Sequence, residues 1–164
     1  MVTLVSNDNK KFEVPKDVAY KSVLIKNMVE DIGDENAEIP LPRAQASVLE
    51  KVIDYCTYHK DDPPLPAPVQ KTQDDQPDRI RRTTDIIEWD YNFMNLENPV
   101  IFEIMLLANY LDIVPLFELT CKTVANKIKG KSPEQLREIF GIENDFTPEQ
   151  LDEIRRENEW AEDP

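Results

Sequence analysis

The sequence predicts a mixed α/β fold of the α+β type, with a small N-terminal sheet, a cluster of helices and a two-helix C-terminal extension. Three observations predict it. Two short β-rich runs stand at the N-terminus, apolar residues then recur at helical spacing, and two helix-capping signatures lie near the C-terminus. A length of 164 residues suits one compact domain with an appendage.

The first elements are predicted to form a hairpin and a helix. Residues 2–6 and 11–14 are β-rich and flank an Asn-Asp-Asn turn signal, which predicts a β-hairpin. Ser22 then precedes a run whose apolar positions 25, 28, 29 and 32 share one helical face, and Gly33 ends that run. This pattern predicts a capped amphipathic helix.

A strand, a helix and a linker are predicted next. Residues 39–42 (IPLP) read as an edge strand, because proline is tolerated at sheet edges. From Arg43 to Lys60, apolar residues again recur at helical spacing. Residues 61–84 hold five of the thirteen prolines and few apolar side chains. Ordering such a segment costs backbone entropy with little burial in return, so we expect a flexible loop.

Three further helices are predicted after this loop. The stretch 85–95 places Ile86, Trp89 and Phe93 on one face. Asn98 reads as a cap before Pro99, and the helix to about Leu111 is apolar nearly all round, which predicts that it is buried on all sides. Pro115 opens another helix, to Lys129.

The C-terminal region carries two capping boxes. Ser132-Pro-Glu-Gln135 and Thr147-Pro-Glu-Gln150 each combine a capping hydroxyl with a glutamine three residues later. They predict short helices over 133–140 and 148–159. Residues 141–164 contain nine acids and two arginines, 2 − 9 = −7, which is half of the net charge of the whole chain.

Charge and composition exclude several classes of function. Nineteen lysines and arginines against 33 acids give a net charge of −14, which disfavours nucleic acid and anionic membrane surfaces as partners. No apolar run is long enough to span a membrane, and the N-terminus does not read as a secretory signal. The three glycines follow helical runs, so no phosphate-binding glycine loop is expected.

The sequence contains few residues that could form a catalytic site. His59 is the one histidine and is expected at a helix C-terminus, meeting the helix dipole or lying on the surface. Cys56 and Cys121 lie on apolar helical faces and are expected to be core thiols, which suits the reducing cytoplasm or nucleus. We therefore expect no enzyme activity, no metal and no cofactor.

Several strings of the sequence resemble the Skp family, the adaptor subunits of SCF-type cullin–RING ubiquitin ligases. They are SVLIKNMVEDIG (22–33), IPLP (39–42), HKDDPP (59–64), LANYLDI (107–113), LTCKTVANKIKGKSPEQLREIF (119–140), NDFTPEQ (144–150) and IRRENEWAED (154–163). They follow the family's order over nearly the full length. The ending ENEWAEDP is most similar to fungal members.

The resemblance implies a BTB/POZ domain over 1–130 and a C-terminal helical arm over 131–164. The arm and the helix before it would cradle an F-box motif, while the opposite end of the BTB/POZ domain would bind a cullin. A RING protein and a ubiquitin-conjugating enzyme would join indirectly. The isolated chain is expected to self-associate weakly through its empty groove.

The resemblance also implies individual site residues. The cullin side includes Asn109 and Tyr110, with surface near the acidic loop and the strand 39–42. Pro148 matches a proline that some lower-eukaryote members hydroxylate and glycosylate, which makes it a candidate modification site. The F-box side includes Phe117, Cys121, Val124, Ile128, Phe140, Asn144 and Trp160.

Three other functions stay open at this point. Some relatives join kinetochore or endosomal assemblies through the same groove, and co-purification of a cullin would separate that role from ligase function. A free-standing POZ homodimer would leave the capped arm without a purpose. An enzyme using Cys56 or His59 would need both side chains in one solvent-facing cleft.

Overall fold

The computed structural model describes residues 1–33, 38–63 and 86–158. Within these ranges the chain forms three strands and eight helices. Trp160, the acidic residues 34–37 and the linker from residue 64 to residue 84 lie outside the described residues. The elements are β1 (Val2–Val5), β2 (Lys11–Val14), α1 (Lys16–Ala19), α2 (Val23–Ile32), β3 (Glu38–Pro40), α3 (Ala46–Tyr58), α4 (Glu88–Phe93), α5 (Asn98–Tyr110), α6 (Val114–Ile128), α7 (Pro133–Phe140) and α8 (Pro148–Asn158).

The sheet has the order β2-β1-β3. β1 pairs antiparallel with β2, which confirms the predicted hairpin, and its turn includes Asn9 at a φ of 61°. β3 pairs parallel with β1, with Leu4 opposite Ile39, and lies at an edge of the sheet as predicted, but it covers Glu38–Pro40 rather than 39–42. Val2 and Leu4 are buried, so one face of the central strand contributes to the core.

The α2 helix begins and ends where the sequence predicts. The Ser22 hydroxyl accepts a hydrogen bond from the Ile25 amide at 3.1 Å and donates to the Leu111 carbonyl at 2.5 Å. Gly33 takes a left-handed conformation at a φ of 68°, which relieves the strain that a side chain would add. The four-residue α1 was not predicted, because a single turn shows no apolar periodicity.

Two predicted helix starts are wrong. α3 begins at Ala46 rather than Arg43, and the Asp8 carboxylate from the hairpin turn accepts a hydrogen bond from the Ala46 amide at 3.2 Å. α5 begins at Asn98, with Glu97 in the capping position. The Asn98 side chain instead accepts a hydrogen bond from Lys127 of α6 at 2.7 Å.

The hydrophobic core joins the inner face of the sheet to α2, α3, α5 and α6. Its largest fully buried side chains are Leu4, Ile39, Leu41, Leu49, Ile101, Ile104, Leu111 and Leu116. The prediction that the α5 region is buried on all sides is wrong. Ile101, Ile104 and Leu107 are buried, but Phe102 is 37% exposed and Leu106 is 70% exposed.

The chain divides into two compact units, Met1–Lys127 and Ile128–Pro164. In the second unit both capping boxes form: Gln135 and Gln150 each exchange hydrogen bonds with the capping residue three positions earlier. The Arg137 guanidinium lies 5.8 Å from the ring centre of Phe146. No described helix is both long and apolar enough to cross a membrane.

Candidate partner-binding surfaces

The exposed side of α5 carries two of the residues assigned to the cullin side. Phe102, Leu106 and Tyr110 follow one another at intervals of four residues, and Asn109 lies beside them, so all four share one helical face. Asn109 is exposed and Tyr110 is half-buried against the core. We call these four residues the α5 outer face.

A cavity of about 440 Å³ adjoins the α5 outer face. Leu106, Asn109 and Tyr110 line it together with Arg43 and Glu103. The Arg43 guanidinium lies 5.6 Å from the centre of the Tyr110 ring. Tyr110 also lines a neighbouring cavity with residues of the 39–42 segment, where the cullin side was expected to extend. The structure therefore places Asn109 and Tyr110 beside a concave, partly apolar surface.

Sequence reasoning missed Phe102, Leu106 and Arg43 at this surface. The available signal was the all-round apolar character of α5, which also fits a helix that is buried on one side by its own core and exposes apolar residues on the other. Neighbouring exposed apolar residues such as Phe102 and Leu106, next to a cavity, are typical of a protein-binding surface.

Four of the F-box-side residues lie on α6. Phe117 and Val124 are half-buried and pack against the core of the first unit. Cys121 is exposed, so the expectation of a core thiol at this position is wrong. Ile128, the last residue of the helix, is 40% exposed. The helix turns Leu116, Leu119, Thr120 and Thr123 inward, and this rotation leaves Cys121 facing solvent.

Phe140 and Asn144 lie in the second unit, as Ile128 does. Phe140 is half-buried at the end of α7. Asn144 is exposed and its side-chain oxygen accepts a hydrogen bond from the Phe146 amide at 3.4 Å. Pro148, the candidate modification site, is the exposed first residue of α8.

His59 follows the last residue of α3, which confirms the first of its two expected positions, and it is buried, so the alternative of a surface position does not hold. Its Nδ1 lies 2.6 Å from Asp62 and its Nε2 lies 2.9 Å from Asp90 of α4. Each ring nitrogen therefore lies within hydrogen-bonding distance of a different carboxyl group. His59 thus ties the end of α3 to α4.

An aromatic cluster surrounds the hydrogen-bonded side chain of His59. The Trp89 ring stacks on Tyr58 at 3.9 Å between centres and on Phe93 at 5.2 Å, and Tyr55 lies 4.3 Å from His59. Because both nitrogens of His59 are engaged and its ring is enclosed, it has no free nitrogen with which to activate a nucleophile.

The Cys56 thiol, which lies next to this cluster, is a poor nucleophile. Burial raises the pKa of Cys56 to about 12, so the nucleophilic thiolate is scarce at neutral pH. Among the described residues, no three His, Cys, Asp or Glu side chains gather as metal ligands. The surfaces of this part of the chain present apolar and hydrogen-bonding groups that suit the binding of other proteins.

Comparison with protein families gives two matches along the chain. Residues 1–61 match the Skp1 family, tetramerisation domain, and residues 114–161 match the Skp1 family, dimerisation domain. The first match covers the sheet and α1 to α3, and the second covers α6 to α8 with the residues assigned to the F-box side.

Curated relatives match over nearly the whole length. The chain is 55% identical over 162 residues to the E3 ubiquitin ligase complex SCF subunit sconC of Arthroderma otae, covering 99% of this chain and 94% of that protein. It is 51% identical to the SCF ubiquitin ligase complex protein SKP1b of Dictyostelium discoideum, with 99% and 96% covered. It is 49% identical to the suppressor of kinetochore protein 1 of Schizosaccharomyces pombe, with 99% and 98% covered.

Proposed function

The chain belongs to the Skp1 family, and from this we propose that it is the adaptor subunit of an SCF-type E3 ubiquitin ligase. One observation carries the proposal: relatives that are named as SCF subunits match 99% of this chain at more than half identity. The adaptor would join a cullin scaffold to F-box substrate receptors and perform no ubiquitin chemistry itself.

We assign the cullin to the α5 outer face. Phe102 and Leu106 expose apolar area beside Asn109 and Tyr110, and a concave surface lies next to them. A partner that covers this face gains the free energy of removing that apolar area from water. A RING protein and a ubiquitin-conjugating enzyme would be reached through the cullin and not through this chain.

We assign the F-box protein to the exposed parts of α6 and to the arm. Cys121 and Ile128 present side chains to solvent, and the large apolar residues Ile142 and Phe146 are also exposed. Large apolar and aromatic groups of this kind dominate the free energy of protein interfaces. Weak self-association through the same residues is expected when no F-box protein is bound.

Reconstitution tests the adaptor role. The purified chain, the N-terminal repeat of a cullin and an F-box domain should elute together as a 1:1:1 complex in size-exclusion chromatography with light scattering. Tyr110→Ala should lose the cullin and keep the F-box domain. The matched control is Tyr91→Ala, which removes a 67% exposed tyrosine on α4 and should keep both.

The F-box assignment has its own test. Trp160→Ala should weaken binding of the F-box domain by about 2 kcal/mol or more, the cost typical of an interface hot spot. Calorimetric titration would measure it, with Tyr91→Ala again as the control. A change below about 0.5 kcal/mol would remove Trp160 from the binding surface. Failure of the wild-type chain to bind either partner would overturn the adaptor role.

A role outside ligases is the second candidate. It is favoured by the 49% identity to a relative that is named a suppressor of kinetochore protein. Affinity purification of the tagged chain from cells separates the two. Cullin and ubiquitin-ligase activity in the eluate support the first role, whereas F-box proteins without cullin support the second. Imaging of the same tagged chain would test our proposal that it occupies both cytoplasm and nucleus.

A further inference from the structure

Arg43 stands out because it places a cation against an aromatic residue of the α5 outer face. Its guanidinium lies 5.6 Å from the centre of the Tyr110 ring. A cation at this distance is attracted by the electron-rich face of the ring, and a planar guanidinium can also stack on it. One face of the Tyr110 ring is therefore occupied within the chain itself.

The backbone that carries Arg43 is held on both sides. The Leu41 amide donates a hydrogen bond to the Val5 carbonyl at 2.7 Å, and the Asn7 amide donates to the Ala44 carbonyl at 2.8 Å. Leu41 and Ala44 have no exposed surface. Arg43 thus projects from a segment that is anchored to the central strand and to the hairpin turn.

Tyr110 has less support of its own. It is the last residue of α5, it is half-buried, and it lines both cavities on this side of the molecule. A half-buried ring that borders two cavities is less confined than a core side chain, and fixing such a ring before binding lowers the entropy cost of association.

We propose that Arg43 is a positioning residue for cullin docking, which fixes the Tyr110 ring against the anchored 41–44 segment and leaves its other face to the partner. This inference rests on the proposed function, because it takes the cullin as the ligand of the α5 outer face. It adds a residue outside α5 to that surface and predicts that Arg43 acts through Tyr110.

Kinetic binding measurements with the cullin N-terminal repeat test the proposal. Arg43→Ala should raise Kd about two- to fivefold, the range that an exposed cation–π contact of roughly 0.5–1 kcal/mol corresponds to, chiefly through faster dissociation. Arg43→Lys keeps the charge but loses the stacking plane, so it should restore only part of the affinity. The matched control is Lys16→Ala. Lys16 also places a cation near an aromatic ring, 5.9 Å from the centre of Tyr20, but it lines neither cavity, so this substitution should leave Kd unchanged.

Two readouts separate positioning from charge alone. In the Tyr110→Leu background, Arg43→Ala should change Kd by less than about 1.5-fold, because the ring on which Arg43 acts is absent. In the free wild-type chain, NMR of labelled tyrosine should show one set of Tyr110 ring signals, which shift and broaden in Arg43→Ala. This second readout decides the matter if Tyr110→Leu binds too weakly to measure.

Each unfavourable outcome has a distinct meaning. An Arg43→Ala effect that persists in Tyr110→Leu, or that is confined to the association rate and vanishes at high salt, would make Arg43 a steering charge and overturn the positioning role. Unchanged Tyr110 ring signals would do the same. If the wild-type chain fails to bind the cullin repeat while it binds the F-box domain, the cullin assignment of the proposed function falls, and this inference falls with it.

Discussion

At the scale of single residues, His59 shows how a polar group can hold two helices together. A 10% exposed side chain contacts two carboxylates, of which Asp90 is 14% exposed and Asp62 is 60% exposed. Charge-assisted hydrogen bonds strengthen as water is excluded, so the contact with Asp90 should contribute more than the contact with Asp62.

Replacement of His59 tests this ranking. His59→Ala should lower the free energy of unfolding by about 2 kcal/mol, because it leaves the Asp90 carboxylate without its partner in a mostly buried position. Asp62→Asn should cost less than about 1 kcal/mol, since that side chain is solvated. Urea unfolding followed by circular dichroism would measure both variants. Equal costs for the two would contradict the ranking.

The two cysteines differ in reactivity for a reason that lies in their surroundings. At pH 8, Ellman's reagent should modify Cys121 rapidly, because its side chain is exposed. Cys56 should react only at the rate of unfolding, because it is buried and its pKa is raised to about 12. The Cys121→Ser variant should lose the fast phase and keep the slow one. A fast phase in that variant would show that Cys56 is open to solvent.

At the scale of secondary-structure elements, the sequence predicts best where the signal is local. Helix ends are marked by hydrogen bonds between residues only three or four positions apart in the sequence. The structure has all of those predicted, at Ser22, at Gly33 and in the capping boxes of Ser132 and Thr147. Asp8 shows where prediction from local sequence signals fails. It caps α3 across 38 positions of sequence, which no local pattern reveals.

The sites were harder to predict than the elements for the same reason. Apolar periodicity favours burial of a residue but does not show whether the chain itself or a partner buries it, so the predicted burial of α5 on all sides is wrong at Leu106. For Cys121, apolar neighbours on one helical face did not show that the face is fully covered, and the structure turns Leu119, Thr120 and Thr123 inward instead. Resemblance identified Asn109 and Tyr110, whereas Arg43 emerges only once the fold brings it to Tyr110.

The capping boxes also predict a response to acid. Glu134 and Glu149 each have a pKa below the ordinary value of 4.5, chiefly because their own backbone amides and then the capping hydroxyls donate to the carboxylates. A lowered folded-state pKa stabilises the helix above pH 4.5, and this contribution is lost as pH falls through the lowered value. α7 and α8 should therefore lose helicity as the pH falls below about 4.5.

Circular dichroism and NMR of the α7 and α8 amides would measure this loss of helicity. Glu134→Gln with Glu149→Gln should flatten the pH dependence of those amides without changing that of α5. The reverse result, with helicity of the two segments rising as the pH falls, would contradict a lowered pKa for these two carboxyl groups.

At the scale of the whole molecule, stability is unevenly distributed. The first unit contains the hydrophobic core, while neither α7 nor α8 contains a buried residue. Helices of eight and eleven residues are marginal in water unless packing supports them, so their local unfolding should cost much less than global unfolding. We therefore expect these two helices to gain packing from a bound F-box protein and to become more ordered on binding.

Hydrogen exchange tests this coupling between binding and order. In the free chain, the amides of α7 and α8 should exchange far faster than those of α5. Saturation with an F-box domain should slow them by about tenfold or more, because binding removes the open states from the ensemble. Saturation with the cullin repeat is the matched control and should leave them unchanged, since its assigned surface is the α5 outer face. Strong and equal protection with and without the F-box domain would mean that the arm is fully ordered beforehand, and that its affinity for the F-box carries no cost of folding.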